Sequence, residues 1–249
     1  MLVTAAVRAI DRHGPTAGLA DFARAAGVSK PVLYRYFADK ADLHAAVGDW
    51  GAGLVLERLA PALAADGGSA AREPTAAAGE AGLRPSEPLG LRERVEVGMD
   101  AYLGALAEHP NVFLLLTSPG ATGRSDPLAR GKAAIAEAIA RLMGDLMRGA
   151  GVDSGGAVPW AHAVVGMGLS VGEWWLRDRT MSRQAVAAYL SGFLWHALAG
   201  LAEEHGLSAD EVGRLHARPA ERSRLDEPRR RARPERRRRG TTRAVGKEA

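Results

Sequence analysis

The sequence contains no cysteine, few aromatic residues and few runs of β-branched residues. The absence of cysteine excludes a disulfide scaffold, thiolate catalysis and zinc sites with cysteine ligands, and it fits a reducing cytoplasm. Alanine dominates a composition that is 47% hydrophobic, and alanine is the strongest helix former. We therefore expect an all-α protein of one or two domains.

The chain also lacks an evident signal peptide. Its N-terminus, MLVTAAVRAIDRHG, carries charges at Arg8, Asp11 and Arg12, where a signal peptide needs an apolar run. The longest apolar stretch, residues 157–176, is interrupted by His162, by small residues and by Glu173. We expect no membrane span and a cytoplasmic location.

The net charge of +4 conceals an uneven distribution. Residues 229–249 carry ten basic and two acidic residues, a net of +8, whereas residues 48–228 carry a net of −6. Like charges repel and have no apolar surface to bury, so residues 219–249 are predicted to be a disordered, arginine-rich tail. Such a tail is either a solubilising segment or a site of nonspecific attraction to nucleic acid or an anionic surface.

Hydrophobic periodicity predicts four helices near the N-terminus. A first apolar stripe ends at Gly14, and Thr16 is a candidate cap for the second helix. Gly27 permits a left-handed turn, Ser29 caps a short third helix, and Asp39 caps the fourth.

The rest of the chain alternates between helical patterns and connections. Residues 66–88 are rich in Gly, Pro and Glu and have no apolar stripe, so they are predicted to be a mobile loop. Helices are predicted over 91–109, 126–149, 157–177 and 182–205, with a brief apolar piece at 111–117. The predicted domains are residues 1–47, a helical body at 48–218, and the tail.

The second and third helices, joined at Gly27, have the geometry of a helix-turn-helix. Leu33 and Phe37 lie one turn apart on the buried side of the third helix. The outer and flanking faces then carry side chains suited to phosphates and base edges, namely Lys30, Pro31, Tyr34 and Arg35. The capped start of the fourth helix places Lys40 and backbone N–H groups where a second phosphate could bind.

Residues 26–43, AGVSKPVLYRYFADKADL, resemble the signature of the TetR-type family of one-component bacterial transcription regulators, A-G-V-S-x-x-x-L-Y-x-[HY]-F-x-x-K-x-x-L. The matching residues are Ala26, Gly27, Val28, Ser29, Leu33, Tyr34, Tyr36, Phe37, Lys40 and Leu43. The resemblance covers the N-terminal part of the chain, and the remainder agrees only in being helical and of suitable length. The alternative interpretation is a helical corner in an unrelated bundle.

The resemblance implies a homodimer whose third helices enter the major groove of a double-stranded DNA operator. It implies that Tyr34 and Tyr36 contact the DNA backbone, that Lys40 and Thr16 contact phosphates, and that residues 30–32 face the bases. Pro31 has no N–H and Val32 has no polar atom, so base reading would rely on apolar contacts and on Lys30 and Arg35. The predicted DNA-binding residues are Thr16, Ser29, Lys30, Pro31, Val32, Tyr34, Arg35, Tyr36 and Lys40.

The beginning of the chain departs from the family pattern. Family members usually carry several residues, often basic, before the first helix, whereas this sequence begins inside it. Either the true start lies upstream of Met1, or the arm is absent and the arginine-rich tail supplies the nonspecific charge.

The resemblance further implies that residues 48–218 bind a ligand and dimerise, with the last two long helices forming the dimer bundle. Glycines there allow close helix approach and large apolar side chains cover the partner helix. The predicted interface comprises Gly168, Gly172, Leu190, Phe193, Leu194, Trp195 and Leu198. The alternative is that these residues pack only within one subunit.

Methionine and aromatic residues of the middle helices are candidates for a pocket that binds a small apolar or amphipathic effector. The candidates are Tyr102, Phe113, Leu116, Met143, Met147, Met167 and Trp174. Trp174 and Trp175 point about 100° apart on a helix, so they cannot share one environment. The alternative for the whole set is an ordinary core.

No pattern in the sequence indicates catalysis. His109, His162, His196 and His205 lie on different segments without metal-ligand spacing, and there is no nucleophile elbow, P-loop or dinucleotide-binding glycine motif. We expect neither an enzyme nor a metal or cofactor.

The predicted function is a ligand-responsive repressor that binds a palindromic operator as a homodimer and is released by its effector. The alternative is a sequence-nonspecific nucleic-acid binder driven by the arginine-rich tail.

Overall fold

The structure is a computed structural model that describes residues 1–64, 89–118 and 126–214. These ranges contain ten α-helices and no strand, which confirms the predicted all-α fold. The helices are α1 (Leu2–His13), α2 (Leu19–Ala26), α3 (Lys30–Tyr34), α4 (Lys40–Leu63), α5 (Leu91–Glu108), α6 (Pro110–Thr117), α7 (Ala129–Gly149), α8 (Ala157–Asp178), α9 (Arg183–Glu203) and α10 (Ala209–Gly213).

Several helix ends are determined by the residues that the sequence indicated. Gly14 ends α1 with φ 78° and Gly27 ends α2 with φ 65°, backbone values that favour glycine. The Asp39 carboxylate accepts a hydrogen bond from the Asp42 amide at 2.8 Å at the start of α4. Ser182 accepts one from the Ala185 amide at 3.2 Å at the start of α9.

The cap predicted for the second helix is wrong. α2 begins at Leu19 with Gly18 as its N-cap, and Thr16 lies in the preceding turn. The Gly18 amide donates to the Asp21 carboxylate at 3.0 Å. That hydrogen bond lowers the pKa of Asp21 below its ordinary value. The Asp21 carboxylate therefore accepts from the amide at the start of α2, and no threonine side chain caps this helix.

The N-terminal helices share a core with α6. Its fully buried members include Ile10 on α1, Phe22 on α2, Leu33 on α3 and Leu43 on α4. Val112, Leu115 and Leu116 of α6 belong to the same cluster. The helix-turn-helix therefore packs directly on the first short helix that follows α5.

The helical body has two further clusters of buried residues. Leu103 and Leu106 of α5 pack with Trp175 and Leu176 of α8 and with Leu190 of α9. The second cluster joins the C-terminal part of α9 to α10 through Trp195, Ala199 and Val212. The short α10 was not predicted from the sequence.

Some predictions about the chain's organisation remain predictions. The boundary expected between residues 47 and 48 lies inside α4, which is continuous from Lys40 to Leu63. The loop expected at 66–88 and the tail at 219–249 lie outside the described residues. Among the described helices, α9 alone is long and apolar enough to cross a membrane, which is weak evidence because core helices meet the same criterion.

Candidate nucleic-acid interface and internal cavity

The last residue of α3 and the turn that follows it each expose a tyrosine, while the opposite side of the helix is anchored in the N-terminal core. Leu33 is fully buried, whereas Tyr34 is 52% and Tyr36 69% exposed. Phe37, just beyond the helix, packs against the same core. Exposed aromatic side chains on an anchored helix form a surface that can contact another molecule without rearrangement of the core.

The other predicted DNA-binding residues lie on the same surface or next to it. Thr16, Ser29, Lys30, Pro31, Arg35 and Lys40 are exposed and Val32 is half-buried. Ser29 occupies the N-cap position of α3 without a side-chain capping bond, so its hydroxyl is not engaged there. Lys40 is the first residue of α4.

The cations of this surface are not neutralised locally. In the described part of the chain, Lys30, Arg35 and Lys40 form no ion pair. Positive charge next to the amide groups of a helix start is the arrangement that attracts phosphate. The assignment of individual side chains to bases or phosphates remains a prediction.

An apolar cavity of about 190 Å³ lies among helices α4 to α9. Its wall follows α5 from Leu91 through Val95 and Met99 to Leu106. Residues of α4 and α7 complete it, including Leu54, Leu59, Ile135 and Ile139. The sequence did not single out these aliphatic residues, because their spacing is the same as that of ordinary core positions.

Four of the seven predicted pocket residues line this cavity, namely Tyr102, Phe113, Leu116 and Met143. Met147 instead lines a second cavity of about 80 Å³, and Met167 is half-buried against the α5–α8 cluster. Trp174 is 42% exposed while Trp175 is 3% exposed, so the two tryptophans do occupy different environments. Whether any of these residues binds a ligand remains a prediction.

Two polar side chains extend into the apolar body from α5. Arg94 is buried and donates hydrogen bonds to the carbonyl oxygens of Ala62, Ala64 and Leu89. The Tyr102 hydroxyl is buried and has no hydrogen-bond partner among the described residues. Burial raises the pKa of Tyr102 well above its ordinary value, because the phenolate would be desolvated.

The cavity is connected to α1 through His109. His109 and Trp50 both line the cavity and meet edge to face with ring centroids 5.0 Å apart. The Nδ1 of His109 lies 2.7 Å from the Asp11 carboxylate, and the Asn111 side chain donates to the Asp11 carbonyl at 3.2 Å. No pattern in the sequence indicates this link, since its partners are about a hundred residues apart.

Most residues of the predicted dimer interface lie inside the single chain. Gly168 and Gly172 are buried next to Tyr102: a Cβ at Gly172 would lie 3.0 Å from its hydroxyl. Leu194 and Leu198 line the main cavity. Leu190 and Trp195 are buried, and Phe193 is the exposed member of the set, at 68%. The dimer roles are untested and stay predictions.

Of the large apolar residues exposed on α8 and α9, only Phe193 belongs to the predicted dimer interface. Val158 and Trp174 on α8, together with Tyr189 and Phe193 on α9, are large and solvent-exposed in the single chain. We call these four residues the α8–α9 face.

The described residues contain no group of three or more potential metal ligands.

Comparison with known proteins identifies the two parts of the chain. Residues 2–47 match the model of the bacterial regulatory proteins of the tetR family, and residues 84–209 match the tetracyclin repressor-like C-terminal domain. An uncharacterized HTH-type transcriptional regulator of Mycobacterium tuberculosis, found in strains CDC 1551 and H37Rv, is 31% identical over 206 residues, which are 82% of this chain and 79% of that protein.

Solved structures share the fold at low sequence identity. A tetR-family transcriptional regulator from Streptomyces coelicolor superposes with a TM-score of 0.57 at 19% identity, covering 82% of this chain and 86% of that one. The transcriptional regulator FadR from Bacillus subtilis, solved with stearoyl-CoA, gives 0.56 at 16% identity, covering 78% and 95%. The helix-turn-helix, the all-α body and these matches agree: the chain belongs to the TetR family of bacterial transcriptional regulators.

Proposed function

We propose that this regulator is a ligand-responsive repressor that binds a palindromic operator as a homodimer and leaves it when an effector fills the internal cavity. The observation that carries the proposal is the exposed surface of residues 30–40, where Tyr34 and Tyr36 accompany cations that form no ion pair with the described residues, while Leu33 is buried. Tyrosine hydroxyls and lysine ammonium groups suit phosphate contacts, which hold a recognition helix in register.

The α8–α9 face supports the homodimer. Tyr189 and Phe193 lie one turn apart on α9 and are 71% and 68% exposed, so they form an apolar patch that a partner surface can cover. Pairing two copies through this face would bury them in a four-helix bundle. Two recognition helices would then contact half-sites about 34 to 36 Å apart, as palindromic operators require.

The cavity and its connections support regulation by a ligand. Its wall is almost entirely apolar, so the effector is an apolar or amphipathic small molecule. FadR from Bacillus subtilis, with the same fold, was solved in complex with stearoyl-CoA.

Helix α4 connects the cavity wall to the surface proposed to contact DNA. It carries Lys40 at its first position, and Trp50, Leu54 and Leu59 on the cavity wall, within 24 continuous helical residues. A displacement of the cavity wall would therefore move Lys40 and the adjoining α3 as a unit. The His109–Asp11 contact adds a second connection, from the cavity to α1. A ligand that fits only one position of these helices would shift the population of DNA-binding dimers.

The experiment that tests this function is selection of random duplexes by the full-length protein at physiological salt, followed by affinity measurements on the recovered motif. We expect one two-fold-symmetric motif. Tyr34→Ala and Lys40→Ala should weaken binding to all sequences, because phosphate contacts carry no sequence information, and Lys40→Ala should also reduce the salt dependence. Arg141→Ala, which removes one charge from the exposed side of α7, is the matched control.

Two outcomes would refute the proposal. Unchanged operator affinity in both Tyr34→Ala and Lys40→Ala would show that α3 and α4 do not form the DNA surface. Binding without any motif, lost on removal of residues 229–249, would favour the alternative of a nonspecific binder driven by the arginine-rich tail. We further propose that the protein acts in the cytoplasm, where the DNA of a bacterium lies. We propose that its role is regulatory rather than catalytic, since its cavity wall is almost entirely apolar.

A further inference from the structure

The main cavity has a neighbour at the far end of the helical body. The second cavity, of about 80 Å³, lies between the C-terminal parts of α7 and α9 and the short α10. Leu91, Met143 and Leu198 line both cavities. These three side chains therefore lie between the two cavities, and we call them the partition.

The main cavity is elongated rather than round. Its lining on α5 extends from Leu91 to Leu106, which at the helical rise corresponds to about 22 Å. Trp50 and His109 lie at one end of this lining, and the partition lies at the other end. An occupant that contacts the whole wall must be long and narrow.

The second cavity offers an occupant almost nothing polar. Leu146, Leu201, Leu207 and Trp160 form much of its lining, and its titratable side chain is His205. The His205 Nδ1 lies 2.9 Å from the Leu201 carbonyl, so that nitrogen is already engaged. A hydrocarbon segment suits this space, and a charged or hydroxylated one would lose its hydration without compensation.

The partition contains one adaptable side chain. Met143 is half-buried on α7, and methionine, being unbranched and polarisable, adjusts to irregular spaces more easily than leucine. A rotation of this side chain would join the two cavities without backbone movement.

We propose that the two cavities form one site for a long, unbranched aliphatic chain, whose apolar end passes Met143 and occupies the second cavity. This inference rests on the proposed ligand-responsive function and specifies its effector as a long-chain aliphatic compound. The second cavity then acts as a chain-length selector, because only chains that reach the partition can gain contacts beyond it.

The test measures binding of saturated fatty acids by calorimetry to the full-length protein, in a series from about 8 to about 18 carbons. The wild-type dissociation constant should fall about fourfold for each buried CH₂ group, equivalent to about 0.8 kcal/mol, and continue to fall for the longest chains. Ala202→Leu and Ala150→Leu each place a larger side chain in the second cavity from a different element. In both variants the dissociation constant should stop falling at a shorter chain length than in the wild type. Short chains should bind to the variants and to the wild type with equal affinity.

Ala134→Leu, on the exposed side of α7 and outside both cavities, is the matched control and should reproduce the wild-type series. The proposal is overturned if both filling variants keep the wild-type length dependence, or if no member of the series binds. Operator affinity without fatty acid is measured for every variant in parallel. Failure of the chain-length effect with intact operator binding would refute the aliphatic site alone, whereas loss of motif-specific DNA binding by the wild type would refute the proposed function.

Discussion

Substitution of Tyr102 by phenylalanine should stabilise the protein. The Tyr102 hydroxyl is buried against Gly172 and Leu106 and has no hydrogen-bond partner among the described residues. No protein group among the described residues therefore replaces the hydrogen bonds that this hydroxyl makes to water in the unfolded chain. Tyr102→Phe removes the unpaired oxygen and keeps the ring that lines the cavity.

The size of the effect follows from two opposing contributions. A buried hydroxyl without a partner costs about 1 to 3 kcal/mol. Removing one oxygen forfeits only a few van der Waals contacts of about 0.1 to 0.2 kcal/mol each. We expect a net gain of about 1 to 2 kcal/mol in the free energy of unfolding, measured in urea, and a rise in Tm of about 2 to 4 °C for each kcal/mol in a chain of this size.

The pH dependence of the same variant has a definite sign. Burial raises the pKa of Tyr102 in the folded state, whereas the unfolded tyrosine titrates near pH 10. Above about pH 10 the unfolded state releases a proton that the native state keeps, so wild-type stability falls by up to about 1.4 kcal/mol per pH unit. Tyr102→Phe lacks this loss, and its advantage should widen above that pH.

Tyr36→Phe is the control for this experiment, because its hydroxyl belongs to a side chain that is 69% exposed. That variant should unfold like the wild type within about 0.5 kcal/mol. If Tyr102→Phe were less stable than the wild type, the hydroxyl would have a partner in solution, and our description of this part of the cavity would be incorrect.

Three further predictions concern helix packing, assembly and the link to α1. Gly48→Ala should lower the free energy of unfolding by about 1 to 3 kcal/mol, because its Cβ would clash with the Pro127 carbonyl oxygen. Gly51→Ala, whose Cβ would meet nothing within 4 Å, should raise that free energy by about 0.5 to 1 kcal/mol. Equal effects of the two variants in urea unfolding would contradict this packing. Phe193→Glu should yield monomers in sedimentation experiments and weaken operator binding. Ala134→Glu, at an exposed position of α7, should do neither. A Phe193→Glu protein that remains a dimer and binds the operator with wild-type affinity would exclude the α8–α9 face as the dimer interface. Asp11→Asn and His109→Gln should show a coupling of about 0.5 to 3 kcal/mol in a double-mutant cycle of unfolding, whereas additivity would mean that their 2.7 Å contact contributes little.

The sequence predicted best where one residue type determines a local structure. Gly14 and Gly27 adopt positive φ, as the turns at the ends of α1 and α2 require, and Asp39 caps α4. The exposure of Tyr34 beside the burial of Leu33 followed from helical spacing alone. These features depend on neighbours within one turn, which a single sequence contains.

The sequence predicted least where distant segments meet. The aliphatic residues of α4 and α7 that line the cavity have the spacing of any core residue. Gly168 and Gly172 lie next to Tyr102 of α5, a contact within the chain that their spacing on α8 did not indicate. Periodicity identifies the apolar side of a helix, and it does not identify which helix covers that side.

The packing of α4 and α6 joins the part predicted to bind DNA to the part predicted to bind a ligand. Val47 lies in the N-terminal core while Trp50, less than one turn later, lines the cavity. Leu116 of α6 belongs to that core and to the cavity wall at once. A molecule in the cavity would therefore displace side chains that also pack against the N-terminal helices. Because packed cores adopt discrete arrangements rather than deforming continuously, this shared wall is the part of the fold through which a small ligand would act on DNA binding.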